Sequence, residues 1–177
     1  SAGMEASISR AATETALKVA KITRGNSEEV AAIVGTTFNN LGGELAGTTE
    51  QKLSTIGNIL TKTQFKFQIK DFAQLGESMK FGASTAASYN ISLAETATTL
   101  GQLNSAGLQG SRAGTAFNAV MRNMNKASEE LGFELLRNAD GSLDLAGTLT
   151  ELEGTLDGLD IDERASLLQQ LFGDEGM

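Results

Sequence analysis

Apolar side chains recur every three or four residues along most of this chain, the spacing that places them on one face of an α-helix. In the second such segment, for example, Val30, Val34, Phe38 and Leu41 fall on one stripe. The segments with this period are residues 4–24, 26–41, 48–60, 70–88, 92–107, 111–132, 146–159 and 161–172. We therefore predict an all-α fold with about seven helices in an irregular bundle.

Residues with strong capping preferences mark several of these boundaries. Asn26 and Ser92 each stand three residues before a glutamate, Glu29 and Glu95, which is the capping-box spacing. Ser111 is predicted to cap the helix that follows it. Glycine adopts the left-handed backbone of a helix C-terminus more readily than other residues. The predicted helix-ending glycines are Gly25, Gly107, Gly132 and Gly173.

One short segment departs from the helical period. Residues 64–69 alternate polar and apolar side chains, which is the period of a β-strand. A linker that buries Phe65, Phe67 and Ile69 between two helices is equally consistent with the pattern. The sequence leaves these two interpretations open.

A second departure lies near residues 133–145, where two short apolar segments flank Asp140-Gly141, a dipeptide typical of tight β-turns. We predict one small β-hairpin here, with Gly141 at positive φ. It must lean on a helix, because so few paired residues do not form a stable hairpin alone. A calcium loop is disfavoured, since its first and twelfth ligands would be Leu136 and Gly147.

The composition removes most catalytic chemistry. The chain has no Cys, His, Trp or Pro, so it lacks cysteine nucleophiles, disulfides, histidine bases and the usual zinc ligands. The glycine-rich phosphate-binding patterns G-x-x-x-x-G-K-[ST] and G-x-G-x-x-G are also absent from the sequence. Paired carboxylates such as Glu28 and Glu29 fall near helix starts, where a solvated surface is the expected role. The sequence therefore predicts a non-enzymatic scaffold or binding module with no cofactor and no metal.

Charge is distributed unevenly along the chain, whose formal net charge is −8. Residues 1–126 carry 12 basic and 9 acidic side chains, whereas residues 127–177 carry 2 basic and 13 acidic ones. This acidic end argues against a specific nucleic-acid partner. The five lysines from Lys52 to Lys80 would suit phosphate, but a solvated helix face is the expected role because clustered arginines are missing. No segment has the ~20 apolar residues needed to cross a bilayer.

One ordered set of motifs resembles a known family. It covers about residues 26–177 and is specific from Gln64 onward. Its run upstream is Phe72-Ala-Gln-Leu-Gly-Glu-Ser-Met79, followed by Gly107-Leu-Gln-Gly-Ser-Arg-Ala-Gly-Thr-Ala116 and, at the end, Leu171-Phe172-Gly173. The residues that carry it are Gly107, Gly110, Ser111, Ala113, Gly114, Thr115, Gly132, Asp140, Gly141, Phe172 and Gly173. In this order and spacing the chain resembles the core region of phage tail tape measure proteins. The first three glycines are expected to permit a tight turn between helices, and Phe172 to anchor the last helix.

The resemblance implies a structural component of the virion without catalytic residues in this region. It implies a mostly helical protein that sets tail length and occupies the lumen of the tail tube, after assembly in the host cytoplasm. The implied partners are the tail tube protein, the tail assembly chaperones, the tail-tip or hub proteins and coaxial copies of the same chain.

The chain is expected to divide into an N-terminal Ala-rich helix, residues 1–25, and a tape-measure core domain, residues 26–177. A continuous helix of 177 residues would span only about 265 Å, too short for a ruler of tail length, so we expect a fragment of a longer chain. The alternative interpretation is a bacterial helical interaction or signalling module unrelated to phages, although a sustained heptad repeat is lacking.

Overall fold

The computed structural model describes the backbone of residues 2–172 and the side chains of residues 8–169. Within that range the chain forms eight α-helices and no β-strand. The helices are α1 (Ala2–Thr23), α2 (Ser27–Leu41), α3 (Thr49–Lys66), α4 (Phe72–Ser88), α5 (Leu93–Ser105), α6 (Ser111–Leu131), α7 (Leu145–Leu156) and α8 (Ile161–Phe172). The predicted all-α fold is confirmed, with eight helices in place of about seven.

The helix α4 lies at the centre of the bundle. It packs against α2, α5 and α6, while α1 packs against α2 and α3, and α8 against α6. Its stripe of Phe72, Leu75, Met79 and Ala83 is at most 1% exposed, as the helical spacing of these residues predicts. The core therefore forms around one helix that three neighbours cover.

Side-chain caps begin α2 and α3 as their sequences indicate. The Asn26 side-chain oxygen accepts hydrogen bonds from the backbone N–H groups of Glu28 (2.9 Å) and Glu29 (3.2 Å). Thr48 and Gln51 form a complete capping box, in which each side chain accepts a hydrogen bond from the other residue's backbone N–H. These bonds satisfy N–H groups that have no partner inside the helix.

The predicted cap at Ser111 is wrong. Ser111 is the first residue of α6, and the cap position is Gly110. No side chain of the described residues forms a capping hydrogen bond at this helix start. Gly110 has a φ of 59°, a left-handed backbone that glycine adopts without a steric penalty. The direction in which the chain enters α6 therefore requires glycine where the sequence suggested an ordinary serine cap.

Four helices end in the same hydrogen-bonded turn, in which a backbone N–H donates to the carbonyl five residues earlier. The donor–acceptor pairs, at 2.9–3.1 Å, are Gly25–Ala20, Ile69–Gln64, Ile91–Ala86 and Leu108–Leu103. The residue before each donor has positive φ, and at the end of α1 it is Arg24. The prediction that Gly25 takes the left-handed conformation is therefore wrong by one residue.

Neither interpretation of residues 64–69 holds in full. The helix α3 continues to Lys66, so the strand is wrong. The linker buries Ile69, which is 8% exposed, but Phe65 on the helix is 59% exposed. The helix extends this far because its end is set by the bond from the Ile69 N–H to the Gln64 carbonyl (2.9 Å).

The predicted β-hairpin near residues 133–145 is also wrong. A single antiparallel bridge joins Arg137 and Leu143. The N–H of Leu136 donates to the Thr148 hydroxyl (3.0 Å), and the N–H of Leu143 to the Asn90 carbonyl (3.1 Å). Two backbone hydrogen bonds flank this bridge, from the Asn138 N–H to the Ser142 carbonyl and from the Asp144 N–H to the Leu136 carbonyl, both at 2.9 Å. The pairing stops there because the Leu136 N–H, which would return the bond to Asp144, donates to Thr148 instead. The segment is a turn docked on the helical bundle.

The last two helices, α7 and α8, each begin at an aspartate whose carboxylate caps the helix. Asp144 caps α7 by accepting a hydrogen bond from the Gly147 N–H (2.8 Å). The Asp160 carboxylate accepts from the N–H groups of Asp162 and Glu163, both at 2.9 Å, at the start of α8. The helix α7 ends at Leu156, earlier than the predicted residue 159.

We expect Gly141→Val to lower the free energy of unfolding by about 1–2 kcal/mol, because valine resists the left-handed backbone. Gly141 has a φ of 84°, and a Cβ there would meet nothing within 4 Å, so strain rather than a clash sets the effect. Urea unfolding measures it. Ala139→Val, two residues away in the same exposed turn, is the control and should leave the midpoint unchanged. Equal midpoints for Gly141→Val and wild type would contradict the prediction.

Candidate functional site

The helices α4 and α6 approach each other most closely at Gly114. A Cβ on this residue would lie 2.5 Å from the Phe81 Cβ and 2.7 Å from the Ser78 carbonyl oxygen. Real Cβ atoms are not found at such distances from backbone, so a residue other than glycine would push the helices apart. The neighbouring Ala113 is fully buried and Thr115 half-buried. Small residues at the start of α6 thus set its distance from α4.

A buried polar network ties the same point to α5. The Asn104 side-chain amide donates to the Ser78 hydroxyl (2.9 Å) and to the Leu100 carbonyl (2.7 Å). Its oxygen accepts from the Gly110 N–H (3.3 Å), and the Ser78 hydroxyl lies 2.8 Å from the Gly110 carbonyl oxygen. Ser78 and Asn104 are 0% and 4% exposed. The network therefore gives both backbone groups of the half-buried Gly110 a partner, although the Ser78 hydroxyl also lies 2.9 Å from the Gln74 carbonyl oxygen.

Two glycines shape the loop between α5 and α6. Gly107 has a φ of 100° and Gly110 a φ of 59°. The first ends α5 in the turn described above, and the second directs the chain into α6. Gly114, which the sequence analysis assigned to the same turn, lies inside α6 instead.

Two glutamates hold the docked turn and its surroundings in place. Glu44, in the loop after α2, accepts a hydrogen bond from the N–H of Leu93 at the start of α5. Glu95 accepts from the N–H of Leu145 at the start of α7 (3.2 Å) and from the Ser92 hydroxyl (2.8 Å). The Ser92 hydroxyl also accepts from the Glu95 N–H (3.2 Å). The capping box predicted at Ser92 is thus half formed, and the Glu95 carboxylate instead joins two helices.

Asp140 organises the turn itself. Its carboxylate accepts hydrogen bonds from the hydroxyl (2.6 Å) and the N–H (2.9 Å) of Ser142. These bonds hold the pKa of Asp140 below its ordinary value of 3.8, because they favour the charged carboxylate. Upstream, Gly132 ends α6 with a φ of 73°, as predicted.

Removal from water raises the pKa of Glu44 above its ordinary value of 4.5. Its hydrogen bond from the Leu93 N–H opposes the shift, and repulsion from the carboxylates of Glu95 and Asp140 adds to it. Glu44 therefore lies within the repulsion of two other carboxylates where the turn meets the bundle. Among the described residues no group of three or more acidic side chains is placed to hold a metal ion.

Replacing Glu44 with glutamine is expected to stabilise the fold more as the pH rises. A raised folded-state pKa means that the stabilisation by this group is complete below its unfolded pKa and is lost as the pH rises through the folded pKa. Glutamine keeps an oxygen for the Leu93 N–H but carries no charge. The gain in melting temperature should be smallest at about pH 4 and largest at about pH 7.

The gain should be small because the Glu44 side chain is partly hydrated. Glu50→Gln, which changes an exposed glutamate on α3, is the matched control and should show no such trend. A difference between Glu44→Gln and wild type that shrinks with rising pH would contradict the assignment.

The structure brings only part of the predicted motif together. Gly107, Gly110, Ala113 and Gly114 meet at the junction of α4, α5 and α6, whereas Asp140 and Gly141 lie in the docked turn. Phe172 ends α8, but its side chain and the whole of Gly173 lie outside the described residues. Ser78, Asn104 and Glu44 were not predicted from the sequence, and Glu95 was predicted only as part of the cap at Ser92, not as a bond to α7. The residue pattern distinguishes none of these four from an ordinary surface polar side chain.

Comparison with known proteins places the chain in a family. Residues 1–173 match the phage-related minor tail protein family, which is nearly the whole chain. The chain belongs to that family. The resemblance to phage tail tape measure proteins is thereby confirmed. No solved structure matches the chain.

Two similar family relatives have names that agree with this assignment. The probable tape measure protein of Escherichia phage P2 is 27% identical over 98% of this chain and 22% of its own length. The tape measure protein of Pneumococcus phage Dp-1 is 30% identical over 59% of this chain and 10% of its own length. The chain thus spans between a tenth and a quarter of these relatives. No described helix is long and apolar enough to cross a membrane.

Proposed function

We propose that this chain is a folded segment of a tape measure protein that sets tail length and occupies the lumen of the tail tube. The observation that carries the proposal is the similarity to the phage P2 tape measure protein over 98% of the chain. The parent protein would assemble in the host cytoplasm and remain in the virion tail.

Within that protein, this segment acts as an assembly module rather than as the ruler. Its longest described helix has 22 residues, about 33 Å, and its helices fold back on one another around α4. The contacts it makes would be with the tail tube protein, the tail assembly chaperones, the tail-tip or hub proteins and coaxial copies of itself. Its role is structural and not enzymatic.

The proposed structural motif is the residue set named above, from Gly107 to Gly173. Its support is the close helix contact at Gly114 and the network at Gly110. We also retain the division into a helix of residues 1–25 and a core domain of residues 26–177. The helix of residues 1–25 packs against the core domain, since its Ala16 and Val19 are buried in the common core.

Tail length tests the proposal directly. A helical insertion of about 40 residues in the parent protein, outside this chain, should lengthen tails by about 60 Å in electron micrographs. The control is a revertant of the same phage in which the inserted DNA has been deleted. Its tails should return to the original length. Tails of unchanged length would refute the length-setting role.

Binding tests the assembly role separately. The chain should copurify with at least one of the tail tube, chaperone and tip proteins from the same gene cluster. A folded chain that binds none of the three would refute that role and leave the tail-length experiment unaffected.

A further inference from the structure

The helices α1 and α3 lie side by side and run in the same direction. Residues 8–14 line a cavity with residues 48–50, Val19 packs on Gly57, and Ile22 lines a groove with Thr61. The C-terminal ends of both helices therefore lie at the same end of the molecule. We call this surface the basic end and define it by the residues given next.

The basic end carries six exposed cations. The cations are Lys18, Lys21, Arg24, Lys62, Lys66 and Lys70. Residues 15–27 and 51–70 contain no aspartate or glutamate. Among the described residues, none of the six forms an ion pair within 4 Å. Their charge is therefore available to a partner.

Two large apolar side chains lie exposed among these cations. Ile22 is 55% exposed and lies with Lys18 and Thr61 in a groove of about 260 Å³, which Glu14 and Glu50 also line nearer the start of the two helices. Phe65 is 59% exposed and lies one helical turn beyond Thr61 on the same face of α3. The basic end thus combines positive charge with an uncovered apolar centre, a combination typical of contact surfaces.

The turn between α7 and α8 has the complementary composition, and we call it the acidic tip. Ile161 is 86% exposed, the most exposed large apolar side chain in the described part of the chain. Four exposed carboxylates surround it in sequence: Asp157, Asp160, Asp162 and Glu163. Among the described residues, Arg164 forms the one ion pair there, with Asp157 at 2.7 Å.

We infer that the acidic tip of one copy docks on the basic end of a second copy, with Ile161 packed between Ile22 and Phe65. Both surfaces present an apolar side chain ringed by charges of opposite sign, so burial and charge favour the same arrangement. The two surfaces are different, so each copy in a pair keeps one of each free. Association would therefore continue into a ring or a linear stack.

Sedimentation velocity on the isolated chain tests this inference. The weight-average mass should rise with concentration up to about 200 µM, and high salt should weaken association at least tenfold. The variants Lys62→Glu/Lys66→Glu and Asp162→Lys/Glu163→Lys should each be monomeric alone. Mixed together they should associate, because each supplies the surface that the other lacks. The chain that combines all four substitutions should associate again.

Matched controls separate docking from general effects. Ile22→Ser should weaken association at least tenfold, whereas Leu17→Ser should not, although Leu17 is equally exposed at 55% and lies about 140° around the same helix. Lys80→Glu/Arg122→Glu changes the net charge as much as the basic-end variant and should leave association intact. Circular dichroism confirms that each variant is folded.

Three results would overturn the inference. The first is a wild-type chain that stays monomeric over the whole range. The second is an equal effect of the control substitutions. The third is a monomeric chain whose basic end binds phosphatidylserine vesicles or duplex DNA instead. The inference deepens the proposed contact between coaxial copies. Its failure would remove that contact and leave the tail-length and copurification experiments unaffected.

Discussion

Gly114→Ala is expected to lower the free energy of unfolding by about 2 kcal/mol, within the range for an overpacked core. The added methyl carbon would lie 2.5 Å from the Phe81 Cβ and 2.7 Å from the Ser78 carbonyl oxygen. Neither is the flexible end of a side chain, so α6 must move away from α4. Urea unfolding with an unchanged slope measures the effect as a lower midpoint.

Gly35→Ala is the matched control, because Gly35 also lies inside a helix and a Cβ there meets nothing within 4 Å. That substitution should raise stability by about 0.5–1 kcal/mol, since alanine favours helix more than glycine does. If the unfolding midpoints of Gly114→Ala and Gly35→Ala shift in the same direction by similar amounts, the close contact between α4 and α6 does not govern the stability of the fold.

Asn104→Leu is expected to lower the free energy of unfolding by about 2 kcal/mol. Leucine has a similar size but leaves the Gly110 N–H without its acceptor and the Ser78 hydroxyl without its donor. A buried polar group that loses its partner costs about 1–3 kcal/mol. Thermal and urea unfolding should both detect the change.

Asn123→Leu provides the comparison. The Asn123 amide donates to the Ala119 carbonyl of its own helix (3.0 Å) and joins no second element. Its substitution should change stability by no more than about 0.5 kcal/mol. An Asn104→Leu protein as stable as Asn123→Leu would mean that the buried network contributes nothing beyond local helix bonds.

Both predictions concern one junction, where the family resemblance is also most specific. The glycines at 107, 110 and 114 have separate physical roles: two have positive φ, and the third allows close helix packing. The motif therefore describes how three helices meet.

Helices and their buried faces were predictable because their causes are local. The stripe of Phe72, Leu75, Met79 and Ala83 follows from spacing alone. The Thr48–Gln51 box and the Asp160 cap depend on residues within three positions of one another. The turn at Gly141 likewise follows from its own dipeptide.

The errors have a common cause in contacts between distant parts of the chain. The predicted hairpin is reduced to a single bridge because Thr148, in α7, binds the Leu136 N–H that would extend the pairing. One oxygen of the Glu95 carboxylate accepts from the N–H of Leu145, fifty residues away, while the other stays on the Ser92 hydroxyl. Residues 64–69 alternate like a strand, yet the end of α3 and the burial of Ile69 override that pattern.

The sequence by itself determined the helical class, most of the core faces, the absence of histidine and cysteine chemistry, and the likeness to tape measure proteins. These depend on spacing, composition and order, which a single chain displays directly. Only the tertiary structure decided which polar side chains are buried and which apolar ones remain exposed. Asn104 and Ser78 satisfy Gly110, while Ile22, Phe65 and Ile161 are left uncovered. Such outcomes depend on which helices become neighbours, and local sequence does not encode that choice.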